Sequence, residues 1–287
     1  VNTATATPNA TTWPLATMPS TAQDVWSAAY PDFVAMVNQT NVMPGAFATL
    51  NTWALHSRMD DQSNLLDVAC TTGFTSRELA RLTGCAATGF DLSEDAVALA
   101  RYNHDTSGHQ LRLRYHQADG TTFASDQTFS HIAVGAALGF FPDPPAMAAR
   151  LLNHLNDGGY ILASPFWSDH PLPADVLAVR REVFGITSPM ETREQAHALF
   201  RGLDVLHQSD HQLTPESDDD IEHYCRSTID RVCTQGGVEN ASVRDAMRDR
   251  LQTIKQATNR LREHQSYSVL VLRLDRQTYP RRYVELF

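Results

Sequence analysis

Leu65-Leu66-Asp67-Val68-Ala69-Cys70-Thr71-Thr72-Gly73-Phe74-Thr75-Ser76 changes character twice within twelve residues. The apolar run, which begins at Asn64, gives way after Val68 to small side chains, and a helical pattern then extends from Ser76 to Leu82. A short apolar run bounded by small turn residues reads as a buried strand. Small side chains let a backbone approach a ligand closely, and a helix N-terminus favours an anionic group. The stretch therefore reads as strand, tight turn and helix, with the turn as a ligand cradle.

The same alternation continues toward the C-terminus. Ala86–Leu92, Leu111–Gln117, Phe129–Gly135 and Tyr160–Pro165 read as strands. Glu94–Tyr102 and Pro145–Leu155 read as helices, the latter ended by Gly158 and Gly159. Beyond Phe166 the pattern loosens. Leu172–Phe184 and Arg193–Phe200 look helical, Leu203–Leu213 reads as a strand, and Asp218–Thr234 is a helix opened by three acids and broken at Gly236-Gly237. Ser242 then caps a long helix toward Glu263, and Tyr267–Asp275 is a last β-run. Strands separated by helices at this spacing predict an α/β fold with a doubly wound, Rossmann-like, mostly parallel seven-stranded sheet. Before it, helical patterns at Ala22–Ala29, Pro31–Val37 and Ala46–His56 follow a Thr/Ala/Pro-rich arm over residues 1–20. The expected division is an N-terminal arm and helical cap over 1–60, then an α/β domain over 61–287 with a helical elaboration at about 168–265.

Three further segments point to a nucleotide-like ligand. Thr88-Gly89-Phe90-Asp91-Leu92-Ser93 places an acid at the second strand end, 24 positions after Asp67. In dinucleotide-type folds such an acid accepts hydrogen bonds from ribose hydroxyls. Ser93 itself reads as a helix N-cap. Gln117-Ala118-Asp119-Gly120 follows the third strand, and Ile132-Ala133-Val134-Gly135-Ala136-Ala137 closes the fourth, with Phe140-Phe141-Pro142-Asp143 next. From Asn64 to about Trp167 this order resembles the class I S-adenosylmethionine (SAM) dependent methyltransferases, whose first motif has the form D-x-A-C-G-T-G. Thr71 departs from it, standing where the family has its first glycine. The resemblance implies SAM as cofactor, with Asp67, Ala69, Thr71 and Gly73 around the cradle and Asp91 and Leu92 at the ribose. It also implies Asp119 and Gly120 at the adenine and Gly135 in a loop facing both cofactor and substrate. A nicotinamide dinucleotide would use the same acid, but the chain has no G-x-G-x-x-G.

Methyl transfer to an acceptor that is already nucleophilic needs alignment and desolvation more than proton transfer. Aromatic faces suit a sulfonium cation as they suit ammonium. Trp26 and Tyr30, four apart on one helix face, and Phe141, Phe166 and Trp167 are the pocket candidates, with Tyr30 the expected lid contact. His56, Asp143, His170, His211 and His223 are possible bases, and none is assigned as catalytic. The net charge of −10, with Lys255 the only lysine, leaves no basic block for nucleic acid. Cys70, Cys85, Cys225 and Cys233 form no C-x-x-C pair and read as buried apolar residues, so no metal is expected. No apolar run approaches the roughly 18 residues of a membrane span, and no leader pattern opens the chain, so a cytoplasmic setting is expected. These features fit a methyltransferase acting on a small molecule in secondary metabolism. Two alternatives stay open. One is an enzyme using SAM itself as substrate, as in cyclisation to azetidine-2-carboxylate with release of methylthioadenosine; the other is a non-catalytic SAM-binding protein.

Overall fold

Leu65 and Leu66 are both fully buried, yet they belong to opposite faces of one sheet, because successive strand residues point to opposite sides. The computed structural model describes residues 13–14, 18–39 and 43–276, so most of the expected N-terminal arm lies outside the described residues. Three helices come first: α1 (Ala22–Ser27), α2 (Tyr30–Met36) and α3 (Ala46–His56). There follow β1 (Asn64–Val68), α4 (Phe74–Thr83), β2 (Ala86–Asp91), α5 (Glu94–Asp105), β3 (Leu113–Gln117) and β4 (Phe129–Gly135). A 3-10 turn over Ala137–Phe140 leads to α6 (Pro144–Asn153), β5 (Leu155–Ala163) and the two-residue β6 (Phe166–Trp167). The remainder is α7 (Ala174–Phe184), α8 (Arg193–Ala198), β7 (Asp204–Gln212), α9 (Asp218–Gly236), α10 (Ala241–Arg262) and β8 (Ser266–Arg273).

The strand order is β3-β2-β1-β4-β5-β8-β6, with β7 also paired to β8. Strands β1 to β5 run parallel, and β8 is antiparallel to β5, β6 and β7. The doubly wound sheet is as expected, with eight strands among the described residues in place of seven. The addition is β6, where Phe166 and Trp167 pair with Tyr267 and Ser266. Gly158 and Gly159 do not end a helix. Helix α6 stops at Asn153, and fully buried Leu155 enters β5 opposite Phe129, so both glycines lie inside an irregular strand. The last long helix is capped by Asn240, whose side chain accepts the Ser242 N–H, and not by Ser242.

One sheet face carries Leu66, Val68, Phe90, Ile132, Val134 and Leu270 against α6 residues such as Met147 and Leu151. The other carries Leu65, Ala87, Ala133, Leu162 and Val269 against Leu50 and Trp53 of α3 and Leu79 of α4. A third apolar cluster joins Val25 and Phe33 of the N-terminal helices to Ile229 of α9 and Met247 of α10. Arg250 fastens this junction. Its guanidinium lies 4.4 Å from the Phe33 ring centroid and donates to the Val25 and Ala28 carbonyls. All four cysteines are free and buried. Among the described residues no helix is long and apolar enough to cross a membrane, and no group of three acids, histidines or cysteines could hold a metal.

Candidate cofactor site

The turn after β1 places Ala69 at φ +51°, Thr71 at φ +48° and Gly73 at φ +76°. This left-handed region costs a side chain on the order of 1–2 kcal/mol, and only Gly73 escapes it. A Cβ at Gly73 would stand 2.6 Å from the Tyr115 hydroxyl, so close packing also requires glycine there. The buried Asp67 carboxylate accepts the Ser76 N–H at 3.0 Å and ties the strand to the first turn of α4. Burial is the main reason its pKa is pushed up to about 6.

Asp91 ends β2 beside this turn. One carboxylate oxygen accepts the Thr71 N–H at 2.9 Å and the other accepts the Ser93 N–H at 3.0 Å. Ser93 in turn caps α5 by accepting the Ala96 N–H, and its hydroxyl donates to Asp32 of α2 at 3.2 Å. A carboxylate offers about four lone-pair directions, so these two bonds do not exhaust its acceptor capacity. Burial raises the Asp91 pKa, and Asp32 adds a smaller push. Asp32, Asp67 and Asp91 have no cationic side chain in ion-pair contact among the described residues.

Asp119 is exposed. One of its oxygens accepts both the N–H and the hydroxyl of Thr121 at 2.8 Å, which holds its carboxyl below the usual range. Gly120 is buried, and a Cβ there would come within 2.7 Å of the Phe141 ring, so Phe141 covers the backbone after β3. Leu92, just after β2, and Phe140, in the 3-10 turn after β4, are 71% and 55% exposed. Gly135 ends β4 at φ +50°, and its carbonyl accepts the Ser164 N–H at 2.8 Å. The fully buried Ser164 hydroxyl has no hydrogen-bond partner among the described residues, a group sequence reading did not single out.

Tyr30 and Trp26 do not share one environment. Tyr30 packs edge-on against Phe184 of α7, with ring centroids 5.1 Å apart, and burial pushes its pKa up to about 12; Trp26 is 47% exposed. Phe166 is half-buried. Trp167 is buried and donates its indole N–H to Ser268, whose hydroxyl also meets Asp210 and His197. His56 stacks on His207 and His211 on Tyr267, His170 and His223 are exposed, and Asp143 caps α6. Asn38, Gln39 and Asn103 also carry no local motif, yet the fold brings them onto the cradle. Thr72 donates its hydroxyl to the Gln39 carbonyl at 2.8 Å, and its own carbonyl accepts from Asn103 at 3.1 Å.

Residues 65–159 match the family model of a methyltransferase domain. Over that segment the chain is similar to the class I SAM-dependent methyltransferase superfamily. Among its curated relatives is the dTDP-3-amino-3,4,6-trideoxy-alpha-D-glucopyranose N,N-dimethyltransferase of Streptomyces venezuelae, 28% identical over 175 residues, covering 55% of this chain and 71% of that one. Most of the curated relatives are matched over about half of their length. The MccD protein crystal structure is 25% identical, with a TM-score of 0.65 over 82% of this chain and 100% of that one. A SAM-dependent methyltransferase from Geobacter sulfurreducens, solved with S-adenosylhomocysteine (SAH), shares the fold at 20% identity. Its TM-score is 0.64 over 85% of this chain and 98% of that one.

The superfamily's cofactor is SAM, and the donor set of this methyltransferase domain fits it. Asp91 keeps acceptor capacity for a diol, and the acids without cationic partners favour a sulfonium over an anion. When bound, SAM supplies an electrophilic methyl group.

Proposed function

We propose that this chain binds SAM across the C-terminal ends of β1, β2 and β4 and transfers its methyl group to a small-molecule acceptor in secondary metabolism. The observation that carries the reading is the junction of cradle and acid. Asp91 accepts the Thr71 N–H, so the ribose acceptor and the left-handed turn form one rigid unit. In this reading Asp67, Ala69, Thr71 and Gly73 shape the cradle, Asp91 and Leu92 face the ribose, and Asp119, Gly120 and Gly135 border the adenine and the reacting end. The acidic surroundings favour a cationic cofactor. The absence of a lysine or arginine block favours a small acceptor over nucleic acid. The Streptomyces relative, named for methylating an amino sugar carried on a nucleotide, supports an acceptor of that size. The site needs to supply alignment and water exclusion rather than a strong base when the acceptor is an amine or activated hydroxyl.

Incubation with SAM alone, then with a panel of amino-sugar, phenolic and amine acceptors, tests the proposal by mass analysis of the products. SAH formed together with a methylated acceptor supports methyl transfer. Methylthioadenosine formed without any acceptor means instead that SAM is itself the substrate, as in closure to azetidine-2-carboxylate. Failure of SAM and SAH to bind would overturn both readings.

A further inference from the structure

Thr71 occupies a left-handed position that a glycine would adopt without strain, and Ala69 does the same two residues earlier. Such conformations persist only where the surroundings over-determine them. Here the surroundings come from the segment after α2 together with α4 and α5. Asn38, at the end of α2, and Asn103, in the last turn of α5, exchange two amide hydrogen bonds of 2.9 Å each. Asn103 uses the same amide nitrogen to donate to the Thr72 carbonyl, while Thr72 donates its hydroxyl to Gln39, the residue after Asn38. Asn38 is 3% exposed and itself sits at φ +44°, and its carbonyl accepts from Arg231 of α9. From beneath, Arg77 donates to the Thr72 and Gly73 carbonyls.

The geometry points to Asn38 and Asn103 as positioning residues for the cofactor. They clamp the cradle in the shape that Thr71 resists, so cofactor affinity depends on the docked state of α2. The clamp touches no reacting atom. It acts through the Thr72 carbonyl, one residue beyond the Thr71 N–H that Asp91 accepts. Two consequences follow. Loss of the clamp lets Thr71 relax toward ordinary backbone angles and spoils the cradle. A glycine at position 71 removes the strain and makes the clamp dispensable.

The inference rests on the SAM reading, and the test separates the two. Asn103→Ala and Asn38→Ala are each made in the natural background and beside Thr71→Gly, and SAH binding is measured by calorimetry with urea midpoints on the same samples. Each asparagine change should weaken SAH about tenfold with Thr71 present, the scale of one lost buried hydrogen bond. With glycine at 71 the same change should weaken it by no more than about threefold, because the strained residue is gone. Equal losses in both backgrounds, or unchanged SAH affinity in the natural one, would overturn the clamp. Should the unmodified chain bind no SAH, the SAM reading fails and the urea midpoints decide. A smaller shift beside Thr71→Gly supports the clamp, and an equal shift overturns it. If Asn103→Ala fails to fold, Asn38→Ala provides a milder comparison, since it removes the two bonds that orient Asn103 and leaves the bond from Asn103 to Thr72.

Discussion

Asp91→Ala removes the acceptor of two backbone N–H groups at once, those of Thr71 and Ser93. Hydrogen bonds to a charged group contribute about 1.5–3 kcal/mol each. Part of this is offset in the natural protein, because burying the carboxylate is itself costly and raises its pKa. The ligand-free protein should therefore lose about 2–3 kcal/mol, on the order of 5–10 °C in Tm for a domain of this size. SAH affinity should fall in addition, by about 1–3 kcal/mol or roughly 5- to 150-fold, as two ribose hydroxyls lose their acceptor. Thermal melts with and without SAH, paired with calorimetry, separate the two effects. Asp91→Asn should fall between, since one amide oxygen still accepts one N–H while the NH2 group opposes the other. A lowered Tm with SAH affinity intact would show that Asp91 only pins the turn. Intact stability would refute the pinning argument.

Asp119→Asn should change SAH affinity less than Asp91→Ala, since Asp119 is exposed and an amide oxygen can still accept from Thr121; an equal loss in calorimetry would give Asp119 another role. Gly73→Ala should lower Tm and SAH binding together, because the new Cβ meets the Tyr115 hydroxyl 2.6 Å away at a left-handed position; unchanged melting would refute the packing argument. His131 is buried between Ser57 and Ser130, and burial lowers its pKa from 6.5 to about 4. Between those values the unfolded chain holds a proton that the folded chain does not, so this group's contribution, up to about 3 kcal/mol, is lost as pH falls. Buried Asp67, raised to about 6, works in the opposite direction, so the measurement is the difference between the natural protein and His131→Gln in urea midpoints from pH 7 to 4.5; parallel curves would sink the assignment. Tyr30→Ala, which empties the contact with Phe184, should cost about 2–4 kcal/mol of stability. Tyr30→Phe should leave Tm nearly unchanged, and a fall in its turnover would place the hydroxyl at the bound cofactor or acceptor.

Period and punctuation carried the local reading. Leu65, Leu66 and Val68 announce a strand by their run, Gly73 by its lack of a side chain marks the turn, and Ser93 marks the start of α5 as a cap that does accept the Ala96 N–H. These are properties of neighbours in the chain, where side-chain size and backbone preference act over a few residues. The errors arose where pairing overrode that preference. Gly158 and Gly159 look like a helix stop, but Leu155 gains a buried place opposite Phe129, and the strand absorbs both glycines. Trp26 and Tyr30 share helical spacing, yet they stand on separate helices, because α1 ends at Ser27 and α2 begins at Tyr30, whose ring meets Phe184 from 154 residues further on. The acid at Asp91 was legible from its distance to Asp67, whereas its bond to Thr71 was not, since only the register of β1 on β2 brings the two together. Asn38 and Asn103 had no signal at all. Two ordinary asparagines 65 residues apart become a clamp only when α2 docks on α5, because a hydrogen bond needs heavy atoms within about 3 Å and chain proximity alone could not supply that contact here.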